Sequence, residues 1–307
     1  MNSTIMQTTK YGKNILITEC STTDKFLMMS DVHWDNPKCK RDTLKKHLDE
    51  SIKMGAKVVI NGDFFCMMQG KYDPRRNKKD ILPEHNVHNY LDAVIEDAVD
   101  WWSPYAEHIV WIGYGNHETA IIKNTETDPL QRFVDLLNYK NKTSVQVGGY
   151  GGWWKLQLKY KSHTNFAFNV KYYHGTGGGG AVTKGVIQNN RMGVMIAGAD
   201  CIWMGHVHEL YHVIDGQESL EHNSKKGYFV KHKYVHHIRT AAYKEEYGAG
   251  DFGYHVEKGR PPKPIGSYLL SFDTAYETEN GREAMLLLPT FTHCLLYTSD
   301  AADDTPC

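Results

Sequence analysis

Short apolar and β-branched runs recur along the chain, each closed by turn-forming or polar residues, and between them lie segments with apolar positions at helical spacing. "NILITEC" (14–20) and "KFLMMSD" (25–31) read as two strands joined by a short Ser/Thr/Asp turn. "RDTLKKHLDESIKMG" (41–55) carries Leu44, Leu48 and Ile52 on one helical face and ends on Gly55. "KVVING" (57–62) predicts a buried strand, "NVHNYLDAVIEDAVDWW" (86–102) a helix, and "HIVWIGYG" (108–115) a further strand. "DPLQRFVDLLNY" (128–139) predicts a helix with proline in its first turn, where a missing N–H costs nothing.

This alternation of strand and helix implies a largely parallel sheet. The second half is richer in strands. "WWKLQLKY" (153–160) and "NFAFNVKYYH" (165–174) alternate apolar and polar residues and read as a hairpin. A helix is expected near 181–196, then strands in "CIWMG" (201–205) and "HELYHVI" (208–214), with strand-like pieces continuing to "SYLLSF" (267–272). Residues 64–85, with "CMMQGKYDPRRNKKD", make a long polar excursion of the kind that active-site loops form. No repeat or low-complexity linker divides the chain, so one α/β domain is expected over 1–290. Residues 291–307, with the ending "CLLYTSDAADDTPC", read as a tail outside the domain, similar to translated sequencing-adapter read-through.

Composition removes several classes. A net charge of −1 provides no global basic field for nucleic acid, although a local patch remains open. The six cysteines form no C-x-x-C pair, which argues against a zinc knuckle and a disulfide framework. No apolar run approaches the length of a membrane span and the first residues carry no signal-like core, so a cytoplasmic setting without membrane contact is the expectation. The 17 histidines are the unusual count, histidine being the common neutral metal ligand and acid/base side chain.

Those histidines fall in a pattern. In α/β sheets, ligand-handling groups sit beyond the carboxyl ends of strands, and each predicted strand here ends in metal-type residues. After "KFLMMS" come Asp31 and His33; after "KVVI" come Asn61, Gly62 and Asp63. After "HIVWIGY" come Gly115, Asn116, His117 and Glu118, after "NFAFNVKYY" comes His174, and after "CIWM" come Gly205, His206, Val207 and His208. A single D-x-H or a lone histidine after a strand means little; five such ends in order point to a dinuclear metal site.

The order D-x-H, G-D, G-N-H-E, H, G-H-x-H resembles the calcineurin-like metallophosphoesterase superfamily over residues 31–208. The resemblance implies a β-sandwich flanked by helices in four layers, αββα, with the active site at the carboxyl ends of the strands. It implies Asp31, His33 and His208 on one metal, Asp63 bridging, and Asn116, His174 and His206 on the second, with His117 beside the metals as general acid. Two divalent ions would hold a bridging hydroxide for in-line attack on phosphorus. Mixed imidazole, carboxylate and amide ligands suit Mn best, with Fe, Zn or Ni as alternatives, rather than the all-oxygen cages of Ca. Asp31 or Glu118 is the expected partner orienting His117. "GDFF" lacks the D-R of the protein Ser/Thr phosphatase branch and is closer to the phosphodiesterase and DNA-repair-exonuclease branches.

"GTGGGG" (175–180) also matches the dinucleotide fingerprint G-x-G-x-x-G, which needs an acidic residue at the end of the next strand. Asp200 precedes "CIWMG" instead of ending it, so Gly175 and Gly177 are expected to turn the chain after His174 and bring backbone close to a substrate phosphate. Arg75 and Arg76 are candidate phosphate contacts, and His85 and His88 read as supporting or surface residues. The expected activity is hydrolysis of a nucleotide or nucleic-acid phosphodiester. The rivals are a DNA exonuclease, a phosphomonoesterase, and a scaffold that kept the fold and lost catalysis; protein partners and oligomeric state are not legible.

Overall fold

The computed structural model describes residues 6–295 except 13, 70–72, 74–75, 161–163, 181, 225–226, 248–253 and 280–281. In chain order the elements begin with β1 (Gln7–Tyr11), β2 (Ile15–Ser21), β3 (Lys25–Met29), α1 (Arg41–Lys53), β4 (Ala56–Asn61), α2 (Tyr90–Trp102), β5 (Ile109–Gly113), α3 (Asn116–Thr125) and α4 (Pro129–Asn141). They continue with β6 (Gln146–Val147), β7 (Gly151–Tyr160), β8 (Thr164–Tyr173), α5 (Val186–Met195), β9 (Cys201–Met204), β10 (Tyr211–Asn223), β11 (Gly227–Arg239), α6 (Tyr254–Glu257), β12 (Gly266–Glu279) and β13 (Arg282–Leu295).

Two mixed sheets result. One has six strands in the order β13-β12-β3-β4-β5-β6, the other seven in the order β1-β2-β7-β8-β9-β11-β10. The strands β3 to β6 are parallel, as the alternation of strand and helix requires. Their unbroken apolar runs follow from burial on both faces. Phe26, Met28, Val59 and Trp111 point at the other sheet and meet Trp154, Leu156, Val170 and Trp203 there. Their neighbours Leu27, Met29, Val58, Ile60 and Ile112 point the other way, onto Leu44 and Leu48 of α1, Val94 and Trp102 of α2, and Leu130 and Phe133 of α4. On the far side of the seven-stranded sheet, α5 lays Met192 over Ile202 and Val235. Helices therefore flank two stacked sheets.

Two expectations, the start of the strand at 208 and the boundary at 290, need correction, and one strand pairing and one helix were not foreseen. The strands β2 and β3 do not pair across their short turn: β2 pairs with β7, and β3 sits between β4 and β12. Only one face of β2 is buried, whereas β3 is buried almost throughout and belongs in a sheet centre. Helix α3 was not legible, because its "NHETAIIKNT" offers only Ile121 and Ile122 as apolar contacts. The strand expected at 208 begins at Tyr211, since His208 and Glu209 belong to the preceding loop. The domain does not stop at 290: Phe291 to Leu295 complete β13 and pair with Leu270 to Gly266 of β12. Residues 296–307 lie outside the described residues.

The core reaches directly under the strand ends. Phe64 is fully buried and stacks on Phe133 with ring centroids 4.7 Å apart, one residue after Asp63. Phe64→Ala is expected to destabilise the fold by about 3–5 kcal/mol, read as a lower urea midpoint with an unchanged m-value.

Candidate metal centre

Asp31 and His33 follow β3, Asp63 follows β4, Asn116 and His117 open α3 after β5, His174 follows β8, and His206 and His208 follow β9. These strands lie side by side within their sheets, and their carboxyl ends meet at one rim of the sandwich. There all seven candidate ligands converge. Asp31, His33 and His208 form one group and Asp63, His174 and His206 a second, the ligand atoms of each lying within 4.8 Å of one another. In the first, Nε2 of His208 is 3.3 Å from Nε2 of His33 and 3.4 Å from Oδ1 of Asp31. In the second, Nε2 of His174 is 3.1 Å from Oδ2 of Asp63, and Oδ1 of Asn116 lies 3.3 Å from Nε2 of His174 and 2.7 Å from Nδ1 of His206. Asp31 joins the groups, its Oδ1 lying 3.9 Å from Nε2 of His174.

The backbone is bent to achieve this. Asp31, His33, Asp63, His206 and His208 have φ of 52°, 48°, 48°, 73° and 56°. Such left-handed conformations are uncommon outside glycine and cluster where function over-determines them. The glycines of the motifs serve close approach: a methyl on Gly115 would overlap the Asp63 carboxylate, and one on Gly205 would lie 2.6 Å from Oδ2 of Asp31.

Backbone carbonyls fix the ring tautomers. Nδ1–H of His174 donates to the Asn61 carbonyl at 2.9 Å, leaving Nε2 for the centre. Nε2–H of His206 donates to the Gly177 carbonyl at 2.8 Å, leaving Nδ1. Such carbonyls are the usual outer partners of ligating imidazoles.

Electrostatics follow from crowding. Burial pushes the Asp31 and Asp63 carboxyls up, but His174 and the other imidazoles more than offset it and hold both below the usual carboxylate range. Burial drives His33 well below its ordinary value, with His117 adding to the effect, and burial likewise lowers His206. Burial also opposes the charged form of His174, yet Asp63 and Asp31 raise its pKa to about 10. The residues fit a pair of divalent cations: two carboxylates held ionised, imidazole nitrogens converging within contact of one another, and an amide oxygen between two of them.

The imidazole of His117 lies beside His33, ring centroids 4.7 Å apart, with Nε2 3.9 Å from Oδ2 of Asp63. Neither Asp31 nor Glu118 orients it. Its Nδ1–H donates to the Cys66 carbonyl at 2.6 Å. Glu118 instead accepts the backbone N–H groups of Phe65 and Gly115 at 2.8 and 2.7 Å, tying two ligand loops together; burial and then Asp63 push its carboxyl up to about 8.

The glycine-rich loop supports a candidate ligand, His206. Gly175 packs against His206, where a methyl would lie 2.7 Å from its Cβ, and Gly177 supplies the carbonyl that holds its ring. The loop does lead from β8 through α5 to the parallel strand β9, the crossover a dinucleotide turn would open. Asp200, however, stands before β9 and accepts the Asn169 N–H at 2.7 Å.

Arg76 is exposed and lines a cleft of about 940 Å³ with Lys78, His88, Tyr90, Ile121 and Arg132, one helical turn along α3 from His117. Arg75 lies outside the described residues. His85 is buried, 2.8 Å from Asp97, in a separate group with Glu84, while His117 shares a further group with His33 and Cys66. Cys66, Asp35 and Arg239 escaped sequence reading. Asp35 carried a local signal, following D-x-H by two residues, and it accepts the N–H groups of Cys66 and Met67 at 2.5 and 2.8 Å. No helix among the described residues is long and apolar enough to cross a membrane.

No family model and no curated protein matches the chain. Among solved structures, one match is a solution NMR structure of a Thermotoga maritima protein, 11% identical, covering 87% of this chain and 99% of that one at a TM-score of 0.27.

Proposed function

We propose that the chain is a calcineurin-like, two-metal phosphoesterase that hydrolyses phosphodiesters of a nucleotide or nucleic acid. One observation carries this reading: seven metal-type side chains from five strand ends converge in two adjoining groups, five of them on backbone that ordinary residues avoid. Asp31, His33 and His208 would hold one divalent ion and Asn116, His174 and His206 the other, with Asp63 of the second group shared between them. Ions held by these residues would supply an activated water and positive charge for the phosphoryl oxygens of an in-line displacement.

The chain's own residues do the rest. Asp63 and Asp31, held ionised, supply the negative charge that two cations require. The Asn61 and Gly177 carbonyls hold Nδ1–H of His174 and Nε2–H of His206, so that the opposite ring nitrogen faces the centre; on His174 a bound ion would take the place of the proton that Asp63 and Asp31 favour there. His117 has one ring nitrogen occupied by the Cys66 carbonyl and the other beside Asp63; protonated at Nε2, it delivers that proton to the departing oxygen. That service matters most for alkoxide leaving groups, and the cleft with Arg76 and Lys78 provides cationic side chains for a phosphate-bearing substrate.

The test is Mn-dependent hydrolysis of bis-p-nitrophenyl phosphate against p-nitrophenyl phosphate. Faster turnover of the diester is expected. Preference for the monoester moves the reading to a phosphatase, and metal binding without turnover of either, or of single- and double-stranded DNA, moves it to a scaffold.

A further inference from the structure

Arg239 ends β11 and is fully buried. Its guanidinium is always charged, yet among the described residues no carboxylate pairs with it. Neutral acceptors surround it instead. Nη1 donates to the Gly205 carbonyl at 2.8 Å, Nη2 to Oδ1 of Asn189 at 2.8 Å and Oε1 of Gln188 at 3.2 Å, and Nε to the Tyr211 hydroxyl at 3.1 Å. A buried cation without a counter-ion is costly, and position is the reason to keep it.

The Gly205 carbonyl belongs to the same peptide unit as the His206 N–H. That N–H donates to both oxygens of Asp31, at 3.1 and 2.9 Å. The peptide thus stands between a guanidinium on its oxygen side and a candidate ligand carboxylate on its N–H side, and its dipole is aligned favourably with both. Arg239 finds its counter-charge in Asp31, through one peptide. This pins the peptide at the point where His206 takes its φ of 73°.

A second route reaches the same ligand. Gln188, which accepts from Arg239, donates to the Thr176 carbonyl at 2.5 Å. The next residue, Gly177, holds Nε2–H of His206. The backbone and the ring of His206 are both tethered, by separate paths, to one buried side chain.

We propose that Arg239 is the positioning residue of the second metal subsite, setting His206 through the Gly205–His206 peptide and through Gln188. The inference rests on the two-metal reading. It is tested by titrating Co²⁺ into wild type and into the variants Arg239→Met, Arg239→Lys, Gln188→Ala and His206→Ala, following visible absorbance and heat. Wild type is expected to bind two ions. Arg239→Met should bind the ion of the His206 group at least ten-fold more weakly, with an altered spectrum, and the ion of the Asp31 group less severely, since the same peptide also touches Asp31; Arg239→Lys should recover part of the loss. Gln188→Ala, on a half-buried residue the fold tolerates, should weaken the same ion by a smaller factor. Arg239→Met added to His206→Ala should cost the ion of the His206 group little more than His206→Ala alone, because the first change acts on that ion mainly through His206. Unchanged affinity for both ions in folded Arg239→Met and Gln188→Ala, or equal weakening of both ions, overturns the proposal. Wild type that binds no ion overturns the two-metal reading itself, so the two failures are distinguishable.

Discussion

Asp63→Asn is expected to remove hydrolysis and the second metal together. The carboxylate is 2% exposed and sits 3.1 Å from His174, whose proton affinity it is the foremost group in raising. Asparagine keeps the shape and removes the charge. Two cations would then share the rim with only one ionised carboxylate, Asp31, among their ligands. The loss of activity should exceed the roughly 10- to 100-fold that accompanies loss of an outer partner of a ligand. Steady-state rates at saturating Mn, together with metal content on the same samples, check both parts. Near-wild-type activity with two ions bound would remove Asp63 from the centre.

His117→Ala should separate metal binding from turnover. The ring packs against His33 but belongs to neither the Asp31 group nor the Asp63 group, so two ions should still bind. The expected fall in kcat is about 10²- to 10⁴-fold on a diester with an alkoxide leaving group. On bis-p-nitrophenyl phosphate, whose leaving group departs readily without a proton, the fall should be much smaller. An equal loss on both substrates would mean that His117 acts on the ions or on substrate binding and does not protonate the leaving oxygen.

The strand ends could be read in the sequence because short buried strands announce themselves by apolar runs, and each run stops on a polar residue. The unbroken apolar run from Val58 to Ile60 likewise announced a buried strand. What escaped was set by tertiary context. Helix α3 begins inside the motif itself, at Asn116, where Gly115 and Glu118 cap it; its polar first turn hides the helical period. The pairing partners of β2 and β3 depend on which face each must bury, and a short turn between them does not reveal that. The strands β10 and β11 run to 13 residues each, but much of their length is exposed on both faces and leaves little pattern.

Within the site, the sequence named the ligand-type side chains but not their supports. The carbonyls of Asn61, Cys66 and Gly177 carry no side-chain signal at all. Glu118 was placed beside His117 by adjacency, yet adjacent helical residues point apart, and the carboxylate turns back to cap the helix. Arg239 looks in sequence like the polar end of a strand; its burial becomes visible only once α5 and the His206 loop close over it.

The measurement that tests the central claim most directly is the number of Mn²⁺ ions held per chain by the metal-stripped protein after equilibrium dialysis, counted by elemental analysis. Two ions for wild type, and fewer for Asp63→Asn, is the predicted result. A folded wild-type chain that retains none would contradict the account, since the seven converging side chains would then be a buried polar network without a metal to hold.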